Sequence, residues 1–202
     1  EEDVYIHQHS CMRSEPPQWV VYLDLSAKSR VYMKGIAPIS PQWLPELAAS
    51  MCERTTAVLE PPPKYNADKD DITCVIAPIF GPRNWEIPPK SVSMPLGPDR
   101  FKHFARLLLE GKVLPAFAAI STWLTDRPLM ITRSWGSPKA ARLLAALQLK
   151  KISTRQALLA VWDAEPRYLL PEVLLWVRAE HHKVLREAWP LREEAGSEKK
   201  EG

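Results

Sequence analysis

The residues best able to do chemistry in this chain are two groups of cations. Lys28, Arg30 and Lys34 bracket a β-branched and aromatic run, Val31-Tyr32-Met33. Cations in the loops at either end of a strand offer ammonium charges and a guanidinium fork to phosphate oxygens. The second group runs from Arg127 to Arg155 and contains Arg127, Arg133, Lys139, Arg142, Lys150, Lys151 and Arg155, with no Asp or Glu between them. Such a local positive field draws nucleic acid by counterion release, docks an acidic segment of another domain, or forms a solvated helix face. Arg133, Lys139, Arg142, Lys150 and Lys151 are the candidate contacts within it. Trp19, Tyr32 and Trp135 are the aromatic side chains placed to stack on bases, although aromatics at alternating strand positions more often fill a core.

Other constellations are weaker. His7-x-His9-x-Cys11 sets three potential ligands on one side of an extended segment, but a closed metal site needs four and no fourth is in view, so no metal is expected. His181 and His182 project about 100° apart on a helix and do not share an ion. Asp68, Asp70 and Asp71 resemble part of a calcium loop without its Gly and late Glu, which reads as a solvated acidic turn. The sequence holds no Gly-rich loop ending in Gly-Lys-Ser/Thr, no Asp-Glu-Ala-His box and no Gly-x-Ser-x-Gly. No catalytic residue is assigned, and nucleotide hydrolysis by this segment alone is not expected.

The elements that must position these groups follow from periodicity. The 202 residues, 46% apolar and 25% charged, are enough for one sizeable core or two small ones, and the formal net charge of +3 is too small to identify a nucleic-acid binder. Three widely spaced cysteines fit a reducing compartment. Residues 1–3 are acidic and no apolar run reaches a membrane span, so neither a signal peptide nor an anchor is expected; the chain reads as a segment of a longer one. Residues 4–7, 18–25 and 31–36 read as strands. Pro38 and Pro41 then end the sheet, and Trp43, Leu47 and Met51 recur at i, i+4 and i+8 to predict a buried stripe on a helix from Gln42 to about Cys52. A strand handing over to a helix that plugs a small barrel is an OB-fold arrangement.

A surface connector is expected over 55–71, and residues 72–80 and 84–94 read as a hairpin across Gly81-Pro82-Arg83, within or beyond the barrel. From Pro98 the period lengthens. Pro98 as a first-turn residue and Gly111 beyond the end predict a helix over about 98–110, with Phe101, Phe104, Ala105 and Leu108 inward and Arg100, Lys102, His103 and Arg106 outward. Further helices are predicted over 114–124, from Ser137-Pro138 to about 149, from a capping box at Ser153 to Gln156 through Trp162, and beyond Pro166 and Pro171 up to Trp189. The fold class is α+β: an OB-fold-like β-barrel over 1–97, an α-helical extension over 98–190 and a disordered tail over 191–202.

Several motifs carry a resemblance. Val4-Tyr5-Ile6-His7, Trp19-Val20-Val21-Tyr22, Val31-Tyr32-Met33-Lys34-Gly35 and Gln42-Trp43-Leu44-Pro45-Glu46-Leu47 resemble, in order and spacing, the C-terminal OB-fold of DEAH-box RNA helicases. The run Phe80 to Pro89 and the run Phe104 to Gly111 are similar to the longer extension of one branch, the U3-associated helicases of the small-subunit processome. Gln8-His9-Ser10 departs from the Pro-Ser-Ser that relatives carry there. The resemblance implies RecA-like motor domains upstream, which bind ATP and Mg, with no cofactor in this segment. It implies single-stranded RNA, namely U3 snoRNA or pre-rRNA, held through Lys28, Arg30 and Lys34. It further implies a processome activator protein as partner, no membrane, and a nucleolar place in the nucleus during ribosome biogenesis. The alternative is an RNA-independent protein-interaction module, with Trp123, Trp162 and Trp176 lining a groove for a partner peptide.

Overall fold

The computed structural model describes residues 3–53, 60–133 and 137–191. Its strands are β1 (Val4–Ile6), β2 (Val20–Val21), β3 (Asp24–Ala27), β4 (Val31–Lys34), β5 (Ala37–Pro38), β6 (Cys52–Glu53), β7 (Lys64–Asn66), β8 (Asp71–Ile76), β9 (Ile79–Phe80), β10 (Trp85–Glu86) and β11 (Lys90–Ser93). Its α-helices are α1 (Leu44–Leu47), α2 (Pro98–Leu109), α3 (Phe117–Ser121), α4 (Met130–Arg133), α5 (Pro138–Leu149), α6 (Arg155–Ala164), α7 (Leu170–Leu174) and α8 (His182–Ala188). Strands precede helices, so the α+β class with an OB-fold-like first half holds. The tail over 192–202 and Trp135 lie outside the described residues.

By packing the chain divides into two compact units, one made of Glu1–Thr56 and Ile76–Lys90, the other of Ala57–Val75 and Ser91–Gly202. In the first, β4 is the centre of a three-stranded sheet ordered β1-β4-β3, parallel to β1 and antiparallel to β3. A second sheet is ordered β10-β9-β6, and β2 pairs with β5. Pro38 occupies β5, which has a partner on one side only and can spare an N–H. Strands this short do not wrap round: among the described residues the sheets stay separate and no closed barrel forms.

The predicted plug helix needs correction. The segment breaks into a 3-10 turn at Pro41–Trp43, the four-residue α1 and another 3-10 turn at Ala49–Met51. Ala48, at φ −127° and ψ 46°, leaves helical geometry and ends the i, i+4 register. Trp43, Leu47 and Met51 are consequently 53%, 83% and 53% exposed rather than stacked on one buried face. The buried apolar side chains described in this unit are Met33, Pro78 and Ile87.

The core lies in the second unit. There α2 packs against α3, α4 and α5, burying Phe104, Ala105, Leu107, Leu108 and Leu109. The outward assignment of Arg100, His103 and Arg106 is overturned, because all three are buried. The two arginines are held by partners within this unit: Arg100 pairs with Asp71 at 2.7 Å and donates to Met94 O at 2.7 Å, and Arg106 donates to Pro63 O at 2.7 Å. Burial opposes the charge of Asp71, but hydrogen bonds from Ser93 and Arg100, with the Arg100 charge, hold its carboxyl below the usual carboxylate range. Burial, aided by the neighbouring Arg106 charge, pushes the His103 imidazole down to about 4.

Residues expected to form a surface connector do structural work as well. Lys64–Asn66 is β7, paired with β8 in the sheet β11-β8-β7. Asp70, at φ +47°, accepts the N–H groups of Arg155 at 2.6 Å and Gln156 at 2.8 Å, and also the Tyr65 hydroxyl at 2.7 Å. Thr154 Oγ1 accepts the Ala157 N–H at 3.2 Å, so the first turn of α6 is capped twice and the N-cap is Thr154 rather than Ser153. Asp70 and Asp71 are therefore not a solvated acidic turn.

Candidate nucleic-acid interface

The pleat of the three-stranded sheet sorts its side chains into two sets. Register places Tyr5 opposite Tyr32, and Tyr32 opposite Ser26, in one row across the sheet. Ile6, Met33 and Leu25 form the next row, whose side chains point to the opposite face, and Met33 is buried there. By the same alternation Arg30, Tyr32 and Lys34 share the Tyr5 face. Contacts agree: the Arg30 guanidinium lies 4.9 Å from the Tyr5 ring centroid, and the His7 ring meets Tyr32 edge-on at 5.1 Å. Lys28 stands in the β3–β4 turn, which its N–H closes by donating to Arg30 O at 3.0 Å.

This face thus joins two tyrosines and a histidine to Arg30 at one end of β4 and Lys34 at the other, about 13 Å apart at the usual strand rise. Lys28 and Lys34 are exposed. Aromatic rings between cations are the two components of sequence-tolerant single-strand binding: π-faces for bases, point charges for the backbone. Sequence reasoning singled out Lys28, Arg30, Lys34 and Tyr32 but missed Tyr5 and His7. Their i, i+2 spacing was visible; what hid them was the parallel pairing of β1 with β4, made past two strands, β2 and β3, that come between them in sequence.

The other candidates distribute differently. Trp19 is not on this sheet; its ring meets Trp85 edge-on at 6.0 Å, beside a recess of ≈420 Å³ lined also by Gln18, Val20 and Glu86. His9 donates its N–H to His7 Nδ1 at 3.3 Å, and among the described residues no three His, Cys, Asp or Glu side chains gather as metal ligands. In the second unit, Lys139 is bonded to Asp126, donates to Thr125 Oγ1 at 3.0 Å and lies 4.6 Å from the Trp176 ring centroid. The hydrogen bond from Lys139 to Asp126, then the Lys139 charge, holds the Asp126 carboxyl below its ordinary value. Lys150 pairs with Glu165 at 2.6 Å. Two of the five candidate contacts in the acid-free run are thereby spent on carboxylates of their own unit, leaving Arg133, Arg142 and Lys151. Trp162 and Trp176 are fully buried and do not line a groove, while Trp123 stacks on His181 at 4.7 Å.

Comparison with known proteins agrees with this layout. Residues 1–51 match the model of the oligonucleotide/oligosaccharide-binding (OB) fold, and residues 116–193 match that of the DEAH helicase DHX37 C-terminal domain. The human probable ATP-dependent RNA helicase DHX37 is 35% identical over 192 residues, which is 94% of this chain and 17% of that protein. The ATP-dependent RNA helicase DEAH13 of Arabidopsis thaliana is 31% identical over 94% of this chain and 15% of its own length. The probable ATP-dependent RNA helicase kurz of Drosophila melanogaster is 31% identical over 85% of this chain and 15% of its own. The chain thus spans about a sixth of the curated relatives it matches. With the OB-fold match first, the DHX37-type domain second and relatives aligned across nearly all of it, the chain is similar to the C-terminal OB-fold and extension of DEAH-box RNA helicases.

Proposed function

We propose that this chain is the C-terminal accessory module of an ATP-dependent DEAH-box RNA helicase in small-subunit ribosome biogenesis, and that its three-stranded sheet grips single-stranded RNA for that motor. The observation carrying the grip is the shared face of Tyr5, His7, Arg30, Tyr32 and Lys34. ATP and Mg belong to RecA-like domains elsewhere in the parent protein, and this module contributes holding rather than hydrolysis. Pre-rRNA or U3 snoRNA as the strand, a processome activator as partner and the nucleolus as the site of action rest on the resemblance to the U3-associated branch.

The test is fluorescence anisotropy of a labelled oligouridine against this chain over a salt series. Each phosphate contact removed by Arg30→Glu or Lys34→Glu should lower the slope of log affinity against log salt by about 0.7. Tyr5→Ala and Tyr32→Ala should weaken binding about 5-fold to 150-fold and leave the slope unchanged, since a stacked base contributes about 1–3 kcal/mol. Binding that ignores salt, or that survives all four substitutions, rules out this face.

A further inference from the structure

A groove of ≈970 Å³ opens in the second unit between α5 and the turn leading into α7. One wall is α5 itself, where Arg142, Ala145, Ala146 and Leu149 fall at i, i+3, i+4 and i+7 and so share a face. Among the described residues nothing covers its end, where Leu149 is 76% exposed. The opposite wall carries Pro166, Tyr168 and Pro171. That wall is held in place: the Tyr168 hydroxyl donates to Ala146 O at 2.6 Å, and the buried Trp162 donates Nε1 to Tyr168 O at 2.9 Å. The groove is therefore preformed, and a ligand does not have to order it.

Its charges select among occupants. Glu165 on the rim is already neutralised by Lys150. Arg142 and Arg167 have no acidic partner among the described residues, and α5 lies in the stretch of sequence without acids. The floor is aliphatic. Its one aromatic ring, Tyr168, has the Lys150 ammonium 5.6 Å from its centroid, so one of its π-faces is already engaged. Glu172 also lines the groove, and its carboxylate disfavours a phosphate backbone there.

We propose that this groove docks an amphipathic peptide segment of a protein partner, one that seats apolar side chains against Ala145, Ala146 and Leu149 and presents Asp or Glu to Arg142 and Arg167. The α5 face from residue 142 to 149 is about 10 Å long, which suits about two helical turns of the partner and anchors at i, i+3 and i+4. The inference does not rest on the RNA grip of the sheet, because it uses other residues in the other unit.

The experiment selects short random peptides displayed on phage against the whole chain, then measures the enriched peptides by fluorescence anisotropy. Ala145 and Leu149 are exposed, so Ala145→Arg and Leu149→Asp block the groove without touching the core, and unchanged circular dichroism checks this. Enriched peptides should combine Leu, Ile, Phe or Met with Asp or Glu, and should lose about tenfold or more in affinity to Ala145→Arg. The double variant Arg142→Glu, Arg167→Glu should weaken them similarly and strengthen peptides whose acids are replaced by Lys. The proposal is overturned by basic or charge-free consensus peptides, or by affinity that Ala145→Arg leaves intact. It is equally overturned if oligouridine binding is lost in the double charge reversal, or if the chain dimerises in sedimentation and Leu149→Asp dissolves the dimer.

Discussion

Asp70 is the strongest single test of how the second unit is held together. Its carboxylate accepts two backbone N–H groups at the start of α6, at 2.6 and 2.8 Å, and one hydroxyl, all from a backbone at φ +47°. Two separable costs follow from Asp70→Ala. Losing a charge-assisted cap to two amides, one of them partly buried, costs about 2–3 kcal/mol. Placing Ala at positive φ adds about 1 kcal/mol. Asp70→Asn tolerates the backbone and keeps one acceptor oxygen, so it should cost about half the cap term, whereas Asp70→Gly removes the side chain without the left-handed strain. With a urea slope of about 2 kcal/mol/M, the Ala variant should lower the midpoint of helical circular dichroism by about 1.5–2 M and the Asn variant by about 0.5–0.8 M. Tyr65→Phe, which removes only the hydroxyl donor, should fall below both. If Asp70→Gly unfolds at the same urea concentration as the parent chain, the long-range cap contributes nothing and the reasoning fails.

His103 makes stability depend on pH in a defined window. The folded group titrates near 4 and the unfolded one near 6.5, so between those values the unfolded state binds more protons. Stability from this site is complete above pH 6.5 and is lost as pH falls toward 4, by roughly 3 kcal/mol at most; His103→Gln should flatten the dependence of the urea midpoint across that range. Asp71, held below its ordinary value, contributes stability above the unfolded carboxylate value and loses it as pH falls through its lowered folded one, so the acid transition of Asp71→Asn should be shallower. Gly111 sits at φ +70°, and a Cβ there would come within 2.5 Å of the Ala118 backbone nitrogen. Gly111→Ala should therefore destabilise by about 2–4 kcal/mol in thermal melts, and a change below about 0.5 kcal/mol would mean the α2–α3 turn yields easily.

How much could be read in advance depended on where each signal resided. Helix starts written as Pro at the first turn, at Pro98 and Pro138, were legible to the residue, because the constraint is local. The order of strands before helices was equally plain. Burial of Arg100, His103 and Arg106 was not legible, because a basic residue reads as outward until Asp71, Pro63 and Met94 are known to lie across from it. The Trp43 stripe failed for another reason: periodicity implies a face only if the helix runs through, and α1 stops at Leu47. On the candidate interface, the cations flanking β4 could be picked out from sequence, whereas Tyr5 and His7 became its partners only through a parallel pairing that spans 27 positions.

The interleaving of the two units along the chain limits where the protein can be excised. Asp70 and Asp71 serve α6 and α2 from a stretch that precedes residues 76–90 of the other unit. The domain matched over 116–193 accordingly leaves behind α2, against which three of the helices pack, together with both carboxylates. A truncation beginning at 116 strips the hydrophobic face from its neighbours and removes the Asp70 cap of α6, so a helical fragment that keeps these contacts has to begin upstream of Lys64.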